Sequence, residues 1–237
     1  HIHRFVGIDE AIDAIPSVIR MLESFDPAIP NDLAVYFGLQ VFREMGVSSV
    51  MTGDGADEFY GGYDYMKDIT DLSDYIKNIA PDITFNSNII ARSMGMDVIQ
   101  PFLEKDIVEF AYRLTDDLKI RNERGLVHGK WIIRKAFEDL LPEKFIWQGK
   151  RPLEVGSGMS LLREAISSII NDEEFAKKSV YYNVKFINKE HLYYYEIFQK
   201  EGIKIPMPEK GENKCPGCAA GIKNNHKHCR VCGWVKV

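Results

Sequence analysis

The residues best suited to chemistry lie at positions 52–63, directly after the apolar, β-branched run at positions 47–51. Gly53 and Gly55 allow backbone amides to approach a ligand without an intervening Cβ. A helix that begins near Ala56 would point the positive end of its dipole at the same ligand. This order of strand, glycine-flanked turn and helix start predicts an anion-binding turn.

The predicted turn also carries three carboxylates, Asp54, Asp57 and Glu58. An acid in the first turn of a helix is stabilised by only about 0.3 to 1 kcal/mol through the helix dipole. Helix capping therefore explains one or two of these acids, but not three among glycines. Three negative charges would repel a bare phosphate, so a divalent cation is needed between them. We therefore predict a site for Mg²⁺ with ATP or pyrophosphate, contacted by Gly53, Gly55 and Glu58.

The string Thr-Gly-Asp-Gly-Ala-Asp-Glu-Phe-Tyr-Gly-Gly-Tyr at positions 52–63 resembles the second signature of the asparagine synthetase family. Positions 97–104 resemble the family's Glu-x-Arg-x-Pro-Phe-Leu-Asp segment, and positions 129–136 resemble its Gly-Lys-x-Leu-Leu-Arg-x-Ala segment. Positions 148–158 resemble the lysine-bearing segment that meets pyrophosphate. The resemblance implies an α/β nucleotide-binding fold of the Rossmann-like PP-loop (HUP) class.

The resemblance also implies roles for individual side chains. Asp57 would help to hold magnesium pyrophosphate, and Lys150 would bind pyrophosphate oxygens through charge-assisted hydrogen bonds. Asp54 would lie beside the reacting acyl phosphate and Asp97 beside the substrate. The family more often has Glu at position 54 and has Arg where this chain has Ile99. These departures leave the acceptor substrate open.

The family's Ser-Gly-Gly-x-Asp-Ser loop, which holds ATP, does not occur in this chain. Tyr-Gly-Gly-Tyr-Asp-Tyr at positions 60–65 imitates its spacing but lacks both serines. We expect these residues to be the C-terminal part of a longer enzyme, with a phosphate-loop segment upstream, and to have no ATP-dependent activity alone. The complete enzyme would adenylate a carboxylate and transfer it to ammonia or an amine. A glutaminase domain or subunit would make glutamine the nitrogen donor.

Two C-x2-C pairs, ten residues apart, supply all the cysteines of the chain: Cys215, Cys218, Cys229 and Cys232. Four thiolates at this spacing predict a tetrahedral Zn²⁺ site, which is structural because no position remains open for water. His226 and His228 are expected to be exposed to solvent and not to bind the metal. With a Pro- and Gly-containing linker at 206–211, the domains predicted are 1–205 for the synthetase part and 206–237 for a zinc ribbon.

Composition restricts the class of protein. Hydrophobic residues make up 45% of the 237 positions, and no apolar run approaches the roughly 18 residues of a membrane span. There is no basic-then-apolar secretory segment, and all the cysteines lie after position 214, so a reducing, cytoplasmic location is expected.

The net charge of −5 is unevenly distributed, because positions 211–237 carry +4 and the rest carries −9. The acidic main body argues against a nucleic-acid channel. Two alternatives stay open: a tRNA-modifying PP-loop ATP pyrophosphatase, whose zinc ribbon would contact RNA, and a partner-binding scaffold without catalysis.

Apolar periodicity predicts a mainly helical chain with one or two parallel strands. Pro16 divides the first helical pattern, 8–22, into two abutting helices. Asn31 is expected to cap the next helix and Gly46 to end it, before the strand at 47–51. The later helices are predicted at 72–79, 87–94, 104–114, 129–141, 159–170 and 189–200. Lys130 and Arg134 are predicted to be solvated charges on the helix at 129–141.

Overall fold

The computed structural model describes residues 1–224 and 226–236. Its helices are α1 (Ile8–Leu22), α2 (Ile29–Glu44), α3 (Ala56–Phe59), α4 (Leu72–Ile79), α5 (Asn86–Ser93), α6 (Lys105–Arg113), α7 (Asp116–Lys119), α8 (Trp131–Ala136), α9 (Glu143–Ile146), α10 (Leu153–Gly156), α11 (Leu161–Ile169), α12 (Asp172–Tyr181) and α13 (Lys189–Lys200). Its strands are β1 (Ser49–Met51), β2 (Asp97–Ile99), β3 (Ile120–Glu123), β4 (Leu126–Gly129), β5 (Glu212–Lys214) and β6 (Gly221–Lys223).

The chain divides into two compact units. The first unit contains residues 1–48, 86–96 and 152–237, and the second contains residues 49–85 and 97–151. Short 3₁₀ turns in the second unit cover Asp64–Asp68, Ala80–Asp82 and Pro101–Leu103. None of the described helices combines the length and apolar composition that a membrane crossing requires.

The first helix of the first unit, α1, is continuous, so the prediction of two abutting helices was wrong. Pro16 lies inside it and removes one backbone N–H from the helical ladder. Ile15 and Ile19 on either side of the proline have no exposed surface and belong to the core of this unit. Burial of this face stabilises the helical turns around Pro16.

The second helix, α2, begins at Ile29, before the residue that was predicted to cap it. Asn31 instead accepts a hydrogen bond from the Glu154 backbone N–H at 2.9 Å, so the Asn31 cap was also wrong. Pro30 occupies the first turn, where a missing N–H costs nothing. Gly46 follows the helix with φ +75°, the left-handed conformation predicted for it.

The second unit contains the parallel strand pair that positions the predicted turn. Val50 lies opposite Val98 in this ladder, and Met51 lies opposite Ile99. The expectation of a mainly helical chain with one or two parallel strands is confirmed, and the other described strands form antiparallel pairs. The larger Rossmann-like sheet stays a prediction.

A hairpin of β3 and β4 replaces the start of the helix predicted at 129–141. Its turn residues Arg124 and Gly125 have φ values of +57° and +83°, which suit a two-residue turn between twisted strands. The strand continues to Gly129, and α8 ends at Ala136, so the predicted helix was wrong at both ends.

The cysteine-bearing hairpin of β5 and β6 is grouped with the helices of the first unit. Its strands pair antiparallel, with Asn213 opposite Ile222. The predicted division into domains 1–205 and 206–237 stays a prediction about how the chain is organised.

Candidate functional site

The turn after β1 has the shape that its glycines predict. The Thr52 N–H donates to the Ile99 carbonyl at 3.0 Å and extends the parallel ladder by one bond. Gly53 accepts from the Ala56 N–H at 3.3 Å, at the start of α3. Gly55 has φ +93°, and a Cβ there would overlap the Leu103 side chain. Only glycine fits both the backbone conformation and the space at position 55.

The Glu58 carboxylate stabilises this turn by accepting hydrogen bonds from two of its neighbours. One carboxylate oxygen accepts the Gly55 N–H at 3.1 Å, and the other accepts the Tyr63 hydroxyl at 2.5 Å. Burial and the neighbouring Glu58 charge raise the pKa of Tyr63, so its hydroxyl keeps the proton that it donates. Both oxygens of Glu58 therefore have a structural partner, and its role toward a cofactor stays a prediction.

Asp57 lies between two lysines of the same unit. Its Oδ2 is 2.5 Å from Lys150 Nζ, and its Oδ1 is 2.8 Å from Lys130 Nζ. Burial opposes ionisation of Asp57, but its contacts with both ammonium groups outweigh burial and lower its pKa. The exposed fractions of the lysine side chains are 25% and 26%, so both side chains are partly open to solvent.

The glycines of the Tyr-Gly-Gly-Tyr segment allow this close packing. A Cβ on Gly62 would overlap both the carboxylate and the backbone of Asp57. The Gly62 N–H also donates to the Asp57 carbonyl at 2.8 Å. The segment that imitates a phosphate loop in sequence therefore packs against the acidic turn.

Lys130 and Arg134 do not have the solvated positions predicted for them. Lys130 precedes α8 with φ +56°, and its N–H donates to the Tyr60 carbonyl at 2.9 Å. Arg134 Nε donates to the Gly129 carbonyl at 2.9 Å, and its Nη1 donates to the carbonyls of Ile146 and Gln148.

The hydrogen bonds of the Arg134 guanidinium therefore bridge the two segments that contain Lys130 and Lys150. Gly129 directly precedes Lys130, and Gln148 lies two positions before Lys150. Burial lowers the pKa of Arg134, and the neighbouring Asp57 charge opposes that effect. The prediction failed here because residue spacing alone placed both side chains on an exposed helical face.

Asp54 is held by two donors that sequence reasoning did not identify. Its Oδ2 accepts the Thr52 hydroxyl at 2.6 Å and the Gln100 side-chain amide at 2.9 Å. Gln100 follows β2, so the parallel register brings it to the end of β1. The only signal in the sequence was its place in the segment at 97–104.

Asp97 occupies a different place from the other predicted acids. It pairs with Ser49 at the amino end of the ladder, whereas Asp54 follows the carboxyl end. The side chain of Asp97 is exposed. The structure does not bring it together with Asp54, and its place beside the substrate stays a prediction.

In the first unit, the four predicted zinc ligands lie together: Cys215, Cys218, Cys229 and Cys232. Their sulfur atoms are all within 4.8 Å of one another, and all the side chains are buried. His228 is exposed and contacts Asp26 at 2.9 Å, and this hydrogen bond raises the pKa of His228. His226 does not belong to the group of ligand atoms found among the described residues.

The carboxylate of Asp57 is the predicted ligand for a hard cation. Asp57 Oδ1 is buried and is ion-paired with the Lys130 ammonium at 2.8 Å, just as Oδ2 is with Lys150. Mg²⁺ prefers carboxylate oxygens, phosphate oxygens and water as ligands. The role of Asp57 as a magnesium ligand therefore stays a prediction.

Comparison with known proteins supports the motif assignment. The sequence model of the asparagine synthase family matches residues 1–84 and 72–193. A probable glutamine-hydrolysing asparagine synthetase from Dictyostelium discoideum is 31% identical over 194 residues, covering 74% of this chain and 35% of that protein. Glutamine-hydrolysing asparagine synthetase 1 from Arabidopsis thaliana is 27% identical, covering 87% of this chain and 39% of that protein.

The corresponding enzyme of Saccharomyces cerevisiae is 25% identical, covering 83% of this chain and 38% of that protein. The chain thus spans well under half the length of these relatives. The family match includes the acidic turn and both lysines that surround Asp57. This chain belongs to the asparagine synthase family.

Proposed function

We propose that the full-length protein containing this chain is an ATP-dependent, AMP-forming amide ligase of the asparagine synthetase type. The observation that carries the proposal is the placement of Asp57 between Lys130 and Lys150, on three segments that resemble family motifs. The family's ATP-holding loop would come from a part of the protein outside these residues. A glutaminase domain or subunit, or free ammonia, would supply nitrogen.

In the first step, a carboxylate oxygen of the substrate attacks the α-phosphorus of ATP. The bond from that phosphorus to the bridging oxygen breaks, and pyrophosphate leaves with the electron pair. Lys130 and Lys150 would donate hydrogen bonds to the departing oxygens, where negative charge develops in the transition state. Mg²⁺ bound at Asp57 would neutralise further charge on pyrophosphate.

In the second step, the nitrogen of ammonia or an amine attacks the acyl carbon. The bond from carbon to the AMP oxygen breaks, and the nitrogen loses a proton. Asp54 would orient the reacting groups, because Thr52 and Gln100 fix its carboxylate. Asp97 is proposed only as a more distant contact of the substrate. It begins β2, whereas Gln100, which bonds to Asp54, follows the end of that strand.

The proposal is tested by carboxylate-dependent exchange between ATP and labelled pyrophosphate in the full-length protein, with aspartate as the first carboxylate. Asp57→Asn and Lys150→Met should each reduce exchange up to about a thousandfold. A charge contact at about 4 Å contributes up to roughly 4 kcal/mol at an effective dielectric constant of 20.

Lys105→Met is the matched control, because the Lys105 side chain is 84% exposed and pairs only loosely with Glu109 at 3.8 Å. It should exchange at the wild-type rate. All variants should unfold at similar urea concentrations. If Asp57→Asn or Lys150→Met retained more than about a tenth of wild-type exchange, the assignment of this site to pyrophosphate would be wrong.

A further inference from the structure

The four cysteines of the first unit have the sulfur spacing of a metal site. Cys215 Sγ lies 3.6 Å from Cys232 Sγ, and Cys218 Sγ lies 3.8 Å from Cys229 Sγ. A zinc–sulfur bond of about 2.3 Å gives a tetrahedron with edges of about 3.8 Å. A disulfide would need sulfur atoms about 2.05 Å apart. The observed spacing fits a shared metal ion and not a pair of disulfides.

The two C-x2-C segments have the same backbone path. In the first, the Cys215 N–H donates to the Ala220 carbonyl at 2.7 Å and the Ala219 N–H donates to the Cys215 carbonyl at 2.8 Å. In the second, the Cys229 N–H donates to the Trp234 carbonyl at 2.7 Å and the Gly233 N–H donates to the Cys229 carbonyl at 2.8 Å.

Both segments also turn at the same point after the second cysteine. Ala219 has φ +67° and Gly233 has φ +72°. The Gly217 N–H points at Cys215 Sγ at 3.2 Å, a contact that stabilises a thiolate. Two equivalent knuckles facing each other are the arrangement of a closed four-thiolate zinc site.

Each knuckle is bonded to a different segment of the helical unit. The Lys185 N–H donates to the Gly217 carbonyl of the first knuckle at 2.8 Å. The Phe25 N–H donates to the Val231 carbonyl of the second knuckle at 2.8 Å, and the Ser24 hydroxyl donates to the same carbonyl at 3.2 Å.

The packing is continuous as well. All four cysteines belong to the same apolar core as Ile15, Phe25 and Phe198, which have at most 1% of their surface exposed. A metal that joins the knuckles therefore also joins the segment at Phe25 to the segment at Lys185.

We propose that Cys215, Cys218, Cys229 and Cys232 bind one Zn²⁺, and that this ion is a structural cross-link of the whole first unit. It is not confined to a separately folding tail. Four sulfur ligands leave no open coordination position, so the ion does not take part in chemistry. The proposal is independent of the amide-ligase proposal, because its ligands and its test involve no ATP.

The first measurement is the metal content of the purified full-length protein by mass spectrometry. One equivalent of zinc is expected in the wild type and in Ala219→Gly, where glycine suits the left-handed backbone. Cys229→Ser should lose at least tenfold in zinc affinity. Less than half an equivalent in the wild type, or iron in place of zinc, would overturn the proposal.

The second measurement uses wild-type protein, so it does not depend on a variant that folds. Amide hydrogen exchange is followed before and after zinc is removed by a chelator. Exchange in α1 and α13 is expected to rise at least tenfold. If the increase were confined to residues 206–237, the ion would belong to an independent ribbon and the cross-link would be refuted.

Discussion

Replacing Arg134 by lysine tests whether one side chain positions both lysines of the candidate site. The guanidinium donates to three backbone carbonyls, those of Gly129, Ile146 and Gln148. Lysine keeps the positive charge but has a single ammonium group, which cannot bridge both segments in the planar geometry of arginine. Arg134→Lys should therefore separate the loss of the bridge from the loss of charge.

The magnitude follows from the bonds that lysine cannot remake. A hydrogen bond from a charged donor contributes about 1.5 to 3 kcal/mol, and the variant loses the bonds to at least one segment. We expect the free energy of unfolding in urea to fall by about 2 kcal/mol, near the lower end because Arg134 is partly exposed. A displacement of about 1 Å in a reacting group can cost a hundredfold in rate. Pyrophosphate exchange should therefore fall by about that factor.

Arg121→Lys provides the matched control within the same unit. Arg121 forms an exposed i,i+4 ion pair with Asp117 and lies over the Trp131 ring, so its replacement should cost at most about 1 kcal/mol. The two variants are compared by urea unfolding and by exchange in the full-length protein. If Arg134→Lys lost no more stability and no more exchange than Arg121→Lys, Arg134 would not position the lysines.

Two further predictions concern a buried acid and a glycine. Burial raises the pKa of Asp32 to about 7, above its unfolded value. The stability that its protonated form contributes is therefore fully present below about pH 4, and up to roughly 4 kcal/mol of it is lost as pH rises from 4 through 7. Asp32→Asn should flatten the urea stability profile across that range, and an unchanged slope would contradict the shift. Gly62→Ala should displace Asp57 and cost about 1 to 3 kcal/mol of stability, with loss of pyrophosphate exchange. An unfolding midpoint and exchange rate equal to those of wild type would contradict that packing argument.

The sequence predicted best those features that depend on local patterns. α4 and α13 have the predicted bounds, since their apolar residues recur at helical spacing. The acidic turn was located because its glycines and carboxylates are contiguous. α12 was missed, since it has no buried residue, although Asn171 caps it by accepting the Glu174 N–H at 2.8 Å.

The remaining site contacts depend on register and backbone conformation, which residue spacing does not reveal. Gln100 reaches Asp54 only because β2 pairs in parallel with β1. Lys130 faces Asp57 because its backbone is left-handed, a conformation that a helical pattern does not predict for lysine. Family motifs pointed to Asp57 and Lys150, but they did not indicate that Arg134 joins the segments around them.

The bonds of Ser24 and Phe25 to Val231 have a consequence for how the protein is made. Ser24 and its partner are 207 positions apart, and the first unit is assembled from three separate stretches of the chain. During synthesis, residues 1–48 must wait until the second knuckle has left the ribosome before the core of this unit can close. If the knuckles need zinc, the supply of that metal when the second knuckle emerges sets how long the apolar faces of α1 and α2 stay accessible to chaperones and proteases.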